Sequence, residues 1–392
     1  MFPERFSNLP AYAFPRLRAL LDAHAPGGEV VHMTIGEPRH AFPSWITDVI
    51  ADHAGGFGQY PVNEGMQALL QAAADWVGRR YGVTLDPGTR LMALNGTREG
   101  LYNAMMALCP EQKRGKRPVV LLPNPFYQVY MVAALSVGAE PVFLNATRDT
   151  GYLPDFTALS PDLLDRVSVA YLCSPSNPQG AVASHACWAE LIALAERHDF
   201  RIFADECYAE IYRDAPPVGV LQVAEAMGAD PERIVAFHSL SKRSNLPGLR
   251  SGFVVAGPES IKAMKQLRNY AGSPLPMPLQ HAAARVWAEE AHVVENRRLY
   301  GRKYALADEI LGHVPGYRSP EAGFFLWLPV ADGEAAALRL WQATGVRVLP
   351  GAYLGQEAGG INPGRDYIRV AMVAPEEEMA QGLGRLRDCL YR

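Results

Sequence analysis

FHSLSKRSNLPGLRSGF, residues 237–253, decides how the rest of the chain is read. The apolar run RIVAF at 233–237 leads into it with the character of a buried strand, and a loop rich in Ser, Asn, Pro and Gly follows. In that loop Lys242 stands between Ser239 and Ser241 on one side and Ser244 on the other. Arg250 comes next, opening the apolar run SGFVVAG. A solvated loop lysine fits this pattern. A Schiff-base lysine beside a phosphate site fits it too, because an arginine depresses an amine's proton affinity, and serine hydroxyls with a guanidinium can hold a phosphate dianion.

Working outward, short apolar runs alternate with helical stretches: LMALN at 91–95, VVLLP at 119–123, PVFL at 141–144, VSVAYLC at 167–173, RIFAD at 201–205 and GFVVAG at 252–257. Helical periodicity marks 66–81, closed by Gly82, and also 187–198 and 258–270. Continuous apolar runs between helices predict a mostly parallel sheet buried on both faces. In such a sheet, ligands sit at the carboxyl ends of strands.

Polar residues collect at those ends. Gly96, Thr97 and Arg98 follow LMALN and open a helix whose free N–H groups form an anion site. Tyr127, in NPFYQVY, can stack on a planar ring, and Asn177, in SPSNPQG, can donate to a ring oxygen. Asp205 and Tyr208 lie in DECY, and Lys242 follows the next strand. Each has an ordinary alternative as an N-cap, a packed aromatic, an Asn-Pro turn or a helix cap. An anion site, an aromatic plate, an amide, a carboxylate and a lysine on successive strand ends point to one constellation.

Composition sets the frame. With 392 residues, 49% hydrophobic and 20% charged, the chain reads as an ordinary globular protein long enough for two domains. A net charge of -4 gives no electrostatic reason to expect nucleic acid or an anionic membrane as partner. The cysteines, Cys109, Cys173, Cys187, Cys207 and Cys389, form no Cys-x-x-Cys pair, which predicts a reduced cytoplasmic chain without structural zinc. The first residues carry no signal pattern, no apolar run is long enough to span a membrane, and GxxxxGK(S/T), GxGxxG and HExxH are absent. Beyond the alternation, 279–311 reads as one extended helix. Strands GFFLWLP and YIRVAMV and a helix over 376–390 then suggest a second domain, in which Arg369 sits among apolar neighbours.

Taken in order and spacing, GEPRHAFP, NGTREG, NPFYQVY, DECYAEIY, FHSLSKRSNLPGLRSGF and VLPGAYL resemble the class I/II aminotransferases of fold type I, most of all the bacterial succinyldiaminopimelate aminotransferases. The resemblance runs over essentially the whole chain. It implies an α/β fold with a large domain, whose mostly parallel seven-stranded sheet lies between helices, and a smaller α+β domain from the N- and C-terminal segments. The boundaries it suggests are an arm and part of the small domain at 1–44, the cofactor domain at 45–290 and the small domain at 291–392.

The implied cofactor is pyridoxal 5'-phosphate, held covalently by Lys242, with Asp205 opposite the ring nitrogen to keep it protonated. Tyr208 and Asn177 would bond the ring oxygen and Tyr127 would lie on the ring face. Gly96, Thr97, Arg98, Ser239, Ser241 and Arg250 would surround the phosphate. Tyr60, in QYPVNEG, matches a position that reaches the phosphate from a second subunit, which implies a homodimer with shared active sites. Arg369 matches the clamp for the substrate's α-carboxylate, with the backbone at Gly36 closing over it.

The implied reaction moves an amino group between glutamate and N-succinyl-2-amino-6-oxopimelate. Arg39 is the first candidate to read the distal carboxylates, with Arg98 and Arg243 as alternatives. SPSNPQG and the VNEG after Pro61 depart from the usual pattern, and the second bears on the acidic tail of the substrate. An aspartate- or aromatic-type transaminase and a carbon–sulfur β-lyase would use the same lysine, aspartate and arginines.

Overall fold

The structure, a computed structural model, describes residues 4–7, 9 and 11–392. The part of the expected arm at residues 1–3, 8 and 10 lies outside the described residues. A short strand β1 (Val31–His32) precedes the main sheet, whose strands are β2 (Leu91–Leu94), β3 (Val119–Asn124), β4 (Glu140–Asn145), β5 (Val167–Cys173), β6 (Arg201–Asp205), β7 (Ile234–Ser239) and β8 (Gly252–Val255). They lie in the order β2-β8-β7-β6-β5-β3-β4. Every pair is parallel except those of β8, which runs antiparallel to both β2 and β7.

Every residue of β3, β5 and β7 is buried, as strands covered on both faces require. One face packs under helices Gln67–Tyr81, His185–His198 and Met277–Ala288, with Leu172, Ile202, Trp188 and Trp287 in that core. The other packs under Thr97–Leu108 and Gln128–Ser136, with Tyr171, Phe203, Phe237 and Leu101. Truncating Phe203, which is fully buried, to Ala would cost about 3–5 kcal/mol. β5, β6 and β7 step one way across the sheet while β3 and β4 lie on the other side of β5. That reversal of order opens the crevice beside β3 and β5.

The remaining strands, β9 (Phe325–Pro329), β10 (Val346–Arg347), β11 (Leu349–Pro350) and β12 (Tyr367–Ala371), build smaller sheets. β12 sits between β11 and β9, antiparallel to both, and β1 pairs in parallel with β10. Their core gathers Phe324, Leu326, Val346, Ile368 and Leu383 with Tyr300 and Tyr304 from the helix Ala291–Leu311. The helix Ala13–Leu21 docks against Trp341, Leu349 and Tyr353 through Leu17 and Leu21.

One expectation is corrected. Residues 279–311 are not one helix but parts of two, Met277–Ala288 and Ala291–Leu311. The Glu289 carboxylate accepts from the backbone N–H of Ala291 and of His292, so a side chain supplies the new helix start that no glycine or proline marks. The other boundaries lie within a few residues of the apolar runs, and Gly82 closes Gln67–Tyr81 in the left-handed conformation (φ 71°).

Candidate active site

A cavity of about 380 Å³ opens at the carboxyl ends of the main strands and is closed from the other side by β9, β12 and the segments around Tyr12 and Gly36. Lys242, Asp205, Tyr208, Asn177, Tyr127, Thr97, Arg98, Ser239, Ser241, Arg250, Gly36 and Arg369 all line it. Gly96 lies directly beneath. It caps Thr97–Leu108 with φ 82°, and a Cβ there would fall 2.0 Å from Arg250 Nη2.

Lys242 leaves a short helical turn, Leu240–Arg243, capped by the Ser239 hydroxyl, which accepts from the Ser241 N–H at 3.1 Å. The Lys242 ammonium donates to the carbonyl of Gly36 and lies 5.4 Å from the Phe324 ring centroid. Burial pushes its pKa down to about 8, and the charges of Arg369 and Arg250 add to that. Desolvation is therefore the chief cause, where the sequence had suggested an arginine.

Asp205, at the end of β6, is 5% exposed. Its Oδ2 accepts from the Tyr130 hydroxyl at 2.6 Å, and its Oδ1 accepts from the Cys207 N–H at 3.3 Å. Thr97 Oγ1 and Cys207 Sγ are 3.2 Å apart. Tyr208 is buried edge-on to Phe324, and burial raises its phenol pKa well above the usual range.

Arg369 projects from β12 and is 4% exposed. Its Nη1 donates to Asn177 Oδ1 at 2.9 Å and its Nη2 to the Thr34 carbonyl at 2.7 Å. The guanidinium carbon stands 4.2 Å from the Phe325 ring centroid, and its Nε has no hydrogen-bond partner. No acidic side chain pairs with it among the described residues. Burial lowers its pKa to about 10. A buried fork with spare donors facing a cavity suits a carboxylate.

Three residues are not brought to this cavity. Arg39 pairs with Glu378 of the last helix, Nη1 lying 2.9 and 2.8 Å from the two carboxylate oxygens. That ion pair, and not the cavity, is where the structure places its guanidinium. Arg243 is buried against Trp287 and bonded to Glu290 Oε1 at 2.7 Å, which makes it a core residue. Tyr60 is fully exposed and apart from the cavity lining of its own chain. Arg98 does line the cavity, its Nε donating to the Tyr127 hydroxyl at 2.8 Å.

Sequence reasoning missed Tyr130, Phe325, Tyr12 and Phe14 as cavity residues. Tyr130 carried a readable signal, one helical turn after Tyr127 on the same face. The others arrive through tertiary packing alone. Among the described residues no group of three or more His, Cys, Asp and Glu side chains could hold a metal, and no helix is long and apolar enough to cross a membrane.

The family model for aminotransferase class I and II matches residues 28–386. The chain belongs to this family. Class I and II aminotransferases use pyridoxal phosphate, and the residues present here fit that group. The Arg250 guanidinium lies over a glycine that leaves no room for a Cβ, hydroxyls of Ser239, Ser241 and Thr97 surround the same corner, and a buried carboxylate and a desolvated lysine face one space. Among relatives, this aminotransferase is 31% identical to an LL-diaminopimelate aminotransferase of Dehalococcoides mccartyi, over 98% of both chains. Among solved structures it resembles an aminotransferase of Neisseria meningitidis (TM-score 0.95, 37% identity, 100% of both chains). It also resembles a probable N-succinyldiaminopimelate aminotransferase of Thermus thermophilus (TM-score 0.84, 25% identity, 96% of this chain and 100% of that one).

Proposed function

We propose that this aminotransferase acts on a seven-carbon diamino dicarboxylate of the diaminopimelate type, with glutamate as amino donor, and that the N-succinylated keto acid is its acceptor. The observation that carries the reading is that two cations line one cavity. Arg369 is buried at the reacting end, while Arg98 stands at the cavity wall with a tyrosine hydroxyl and, among the described residues, no carboxylate for a partner. Arg98 thus replaces Arg39 as the distal reader. The apolar side chains of Tyr12, Phe14 and Ile35 along the same wall suit the methylene chain between two carboxylates. The likeness to the probable N-succinyldiaminopimelate aminotransferase of Thermus thermophilus supports the succinylated form, and that to the LL-diaminopimelate aminotransferase of Dehalococcoides mccartyi supports the free diamino acid. Glu37, also on the cavity wall, is the carboxylate that a free distal ammonium would meet in that alternative.

When bound, pyridoxal phosphate supplies an electron sink that makes the substrate's α-proton removable. Lys242 anchors the cofactor. Its amine, with proton affinity already lowered by burial, would take the proton from the substrate's α-carbon and deliver it to the cofactor's C4′ carbon. Asp205 would keep a proton on the ring nitrogen, and Tyr208 with Asn177 would hold the ring oxygen. Tyr127 would lie against the ring. Thr97, Ser239, Ser241 and Arg250 would hold the phosphate, and Arg369 would fix the α-carboxylate.

Two further elements belong to the proposal. Tyr60 stands fully exposed with Phe57, Val62 and Tyr270 also bare, which supports a two-fold dimer in which Tyr60 completes the partner's site. The arm at 1–44 and residues 291–392 would move as one body against 45–290, a division supported by the β1–β10 pairing and the Arg369–Thr34 bond. Localisation in the cytoplasm follows the cysteine usage and remains part of this reading.

Steady-state kinetics with the succinylated keto acid, the free diaminopimelate, 2-oxoglutarate, pyruvate and aromatic keto acids test the substrate. The succinylated acceptor should lead in kcat/KM by tenfold or more, about 1.4 kcal/mol. An aromatic or short aliphatic acceptor leading by that factor overturns the substrate and leaves the family standing.

A further inference from the structure

Asp205 is the buried carboxylate at the cavity floor, and its closest side-chain partner is a tyrosine that the proposed reaction does not use. Tyr130 is fully buried, and its hydroxyl donates to Asp205 Oδ2 at 2.6 Å. The ring is fixed on two sides. It stacks on Tyr171 with centroids 4.4 Å apart and planes 12° from parallel, and it meets Tyr127 edge-on at 5.7 Å and 88°. The Tyr171 hydroxyl points elsewhere, to the Leu101 carbonyl at 3.0 Å, so it is the ring face of Tyr171 and not its hydroxyl that braces Tyr130. Such a clamp leaves the Tyr130 hydroxyl one direction.

A phenol differs from the other donors that could stand there. It adds no charge, so it orients a carboxylate without neutralising it. Burial, followed by the charge of Asp205, raises its pKa well above the ordinary tyrosine range, so the hydroxyl keeps the proton it donates to Asp205. The other carboxylate oxygen, Oδ1, receives the longer 3.3 Å contact from the Cys207 N–H.

We propose that Tyr130 is a positioning residue for Asp205: it occupies Oδ2 and fixes the carboxylate plane, leaving Oδ1 to meet a protonated ring nitrogen in the cavity. This rests on the assignment of Asp205 to that nitrogen. Removing the O–H makes the carboxylate more basic and less fixed. The proton shared with the ring then lies closer to Asp205, and the ring is less cationic.

The test compares Tyr130→Phe, Tyr171→Phe and Asp205→Asn as holoenzymes. Tyr171→Phe also removes one buried phenol hydroxyl from the same stack, but that hydroxyl does not touch Asp205. For Tyr130→Phe, kcat should fall by about tenfold with KM within about threefold, the size expected for one bond to a charged group. The dissociation constant of the cofactor should rise, and the midpoint of the pH titration of its bound absorbance should move upward by about half a unit. Tyr171→Phe should leave both kcat and the midpoint near wild type.

Tyr130→His restores an N–H donor and should recover the wild-type midpoint; it also serves where the Phe variant does not fold. Equal effects of the two phenylalanine variants, or an impaired His variant with an unrecovered midpoint, would overturn the role of Tyr130. An active Asp205→Asn enzyme with wild-type spectra would instead remove the assignment of Asp205 on which it rests.

Discussion

Gly96 and Arg250 occupy adjoining space that only a residue without a side chain allows: a Cβ at position 96 would meet Arg250 Nη2 at 2.0 Å and the guanidinium carbon at 2.7 Å. The glycine also sits at φ 82°, a conformation L-residues rarely adopt. Gly96→Ala should therefore cost about 1–2 kcal/mol of stability and swing the guanidinium out of the phosphate corner. Equilibrium dialysis of pyridoxal phosphate should show affinity lost by tenfold or more. Unchanged affinity would separate Arg250 from the phosphate.

Lys242→Ala should fold normally and lose both turnover and any borohydride-reducible bond to the cofactor. In the wild-type apoprotein, the amine with a pKa near 8 becomes neutral and nucleophilic as pH rises through that value. The rate of covalent cofactor attachment should climb from pH 6.5 to 9 and then level off. A rate still rising in proportion to hydroxide above pH 9.5 would mean the amine is not depressed.

For Arg369, the change to Lys keeps the charge and loses the fork. The bonds to Asn177 and Thr34 would no longer orient the group. KM for every α-carboxylate substrate should rise together by roughly ten- to a hundredfold, or about 1.5–3 kcal/mol. A loss confined to one substrate, seen in parallel kinetics on donor and acceptor, would move Arg369 to the distal end.

Next to Asp205 in sequence, Glu206 points to the other face of the sheet, where it is buried. It accepts from the Tyr81 hydroxyl at 2.9 Å and the Val220 N–H at 2.7 Å, and it lies 3.5 Å from His238 Nε2. Burial raises its pKa from 4.5 to about 7. Between those values the folded chain keeps a proton that the unfolded chain has released, so stability falls as pH rises. The loss amounts to roughly 3 kcal/mol across the window. His238, pushed down to about 3 by burial, has the opposite slope below 6.5. Glu206→Gln removes only the first slope, so urea midpoints of the variant should gain on wild type between pH 5 and 8. Parallel curves for the two proteins would contradict a buried acid.

What could be read in the sequence follows from how each feature is encoded. β5 and β6 lie at 167–173 and 201–205, as their apolar runs indicated, because a strand covered on both faces writes its burial into every residue. Lys242, Asp205, Asn177, Tyr127 and Thr97 were legible because strand ends converge in a parallel sheet whatever the loop lengths. The break at Glu289 was not, since the capping carboxylate looks like any surface glutamate until its partners fold back on it. Nor was the engagement of Arg39, whose partner Glu378 lies in the last helix. Tyr130 shows the middle case: its helical phase pointed it at the site, but only the fold brought Asp205 under its hydroxyl.

The cavity draws its walls from both extremities of the chain, Tyr12, Phe14 and Gly36 from one and Leu354 and Arg369 from the other. A ribosome releases these ends far apart in time. While the strand that carries Arg369 is still unmade, Arg369 cannot meet Thr34, and Lys242 lacks that part of its cover and that neighbouring charge. The depressed proton affinity, and with it the readiness to capture an aldehyde, is thus complete only once Arg369 has been made and packed over the lysine.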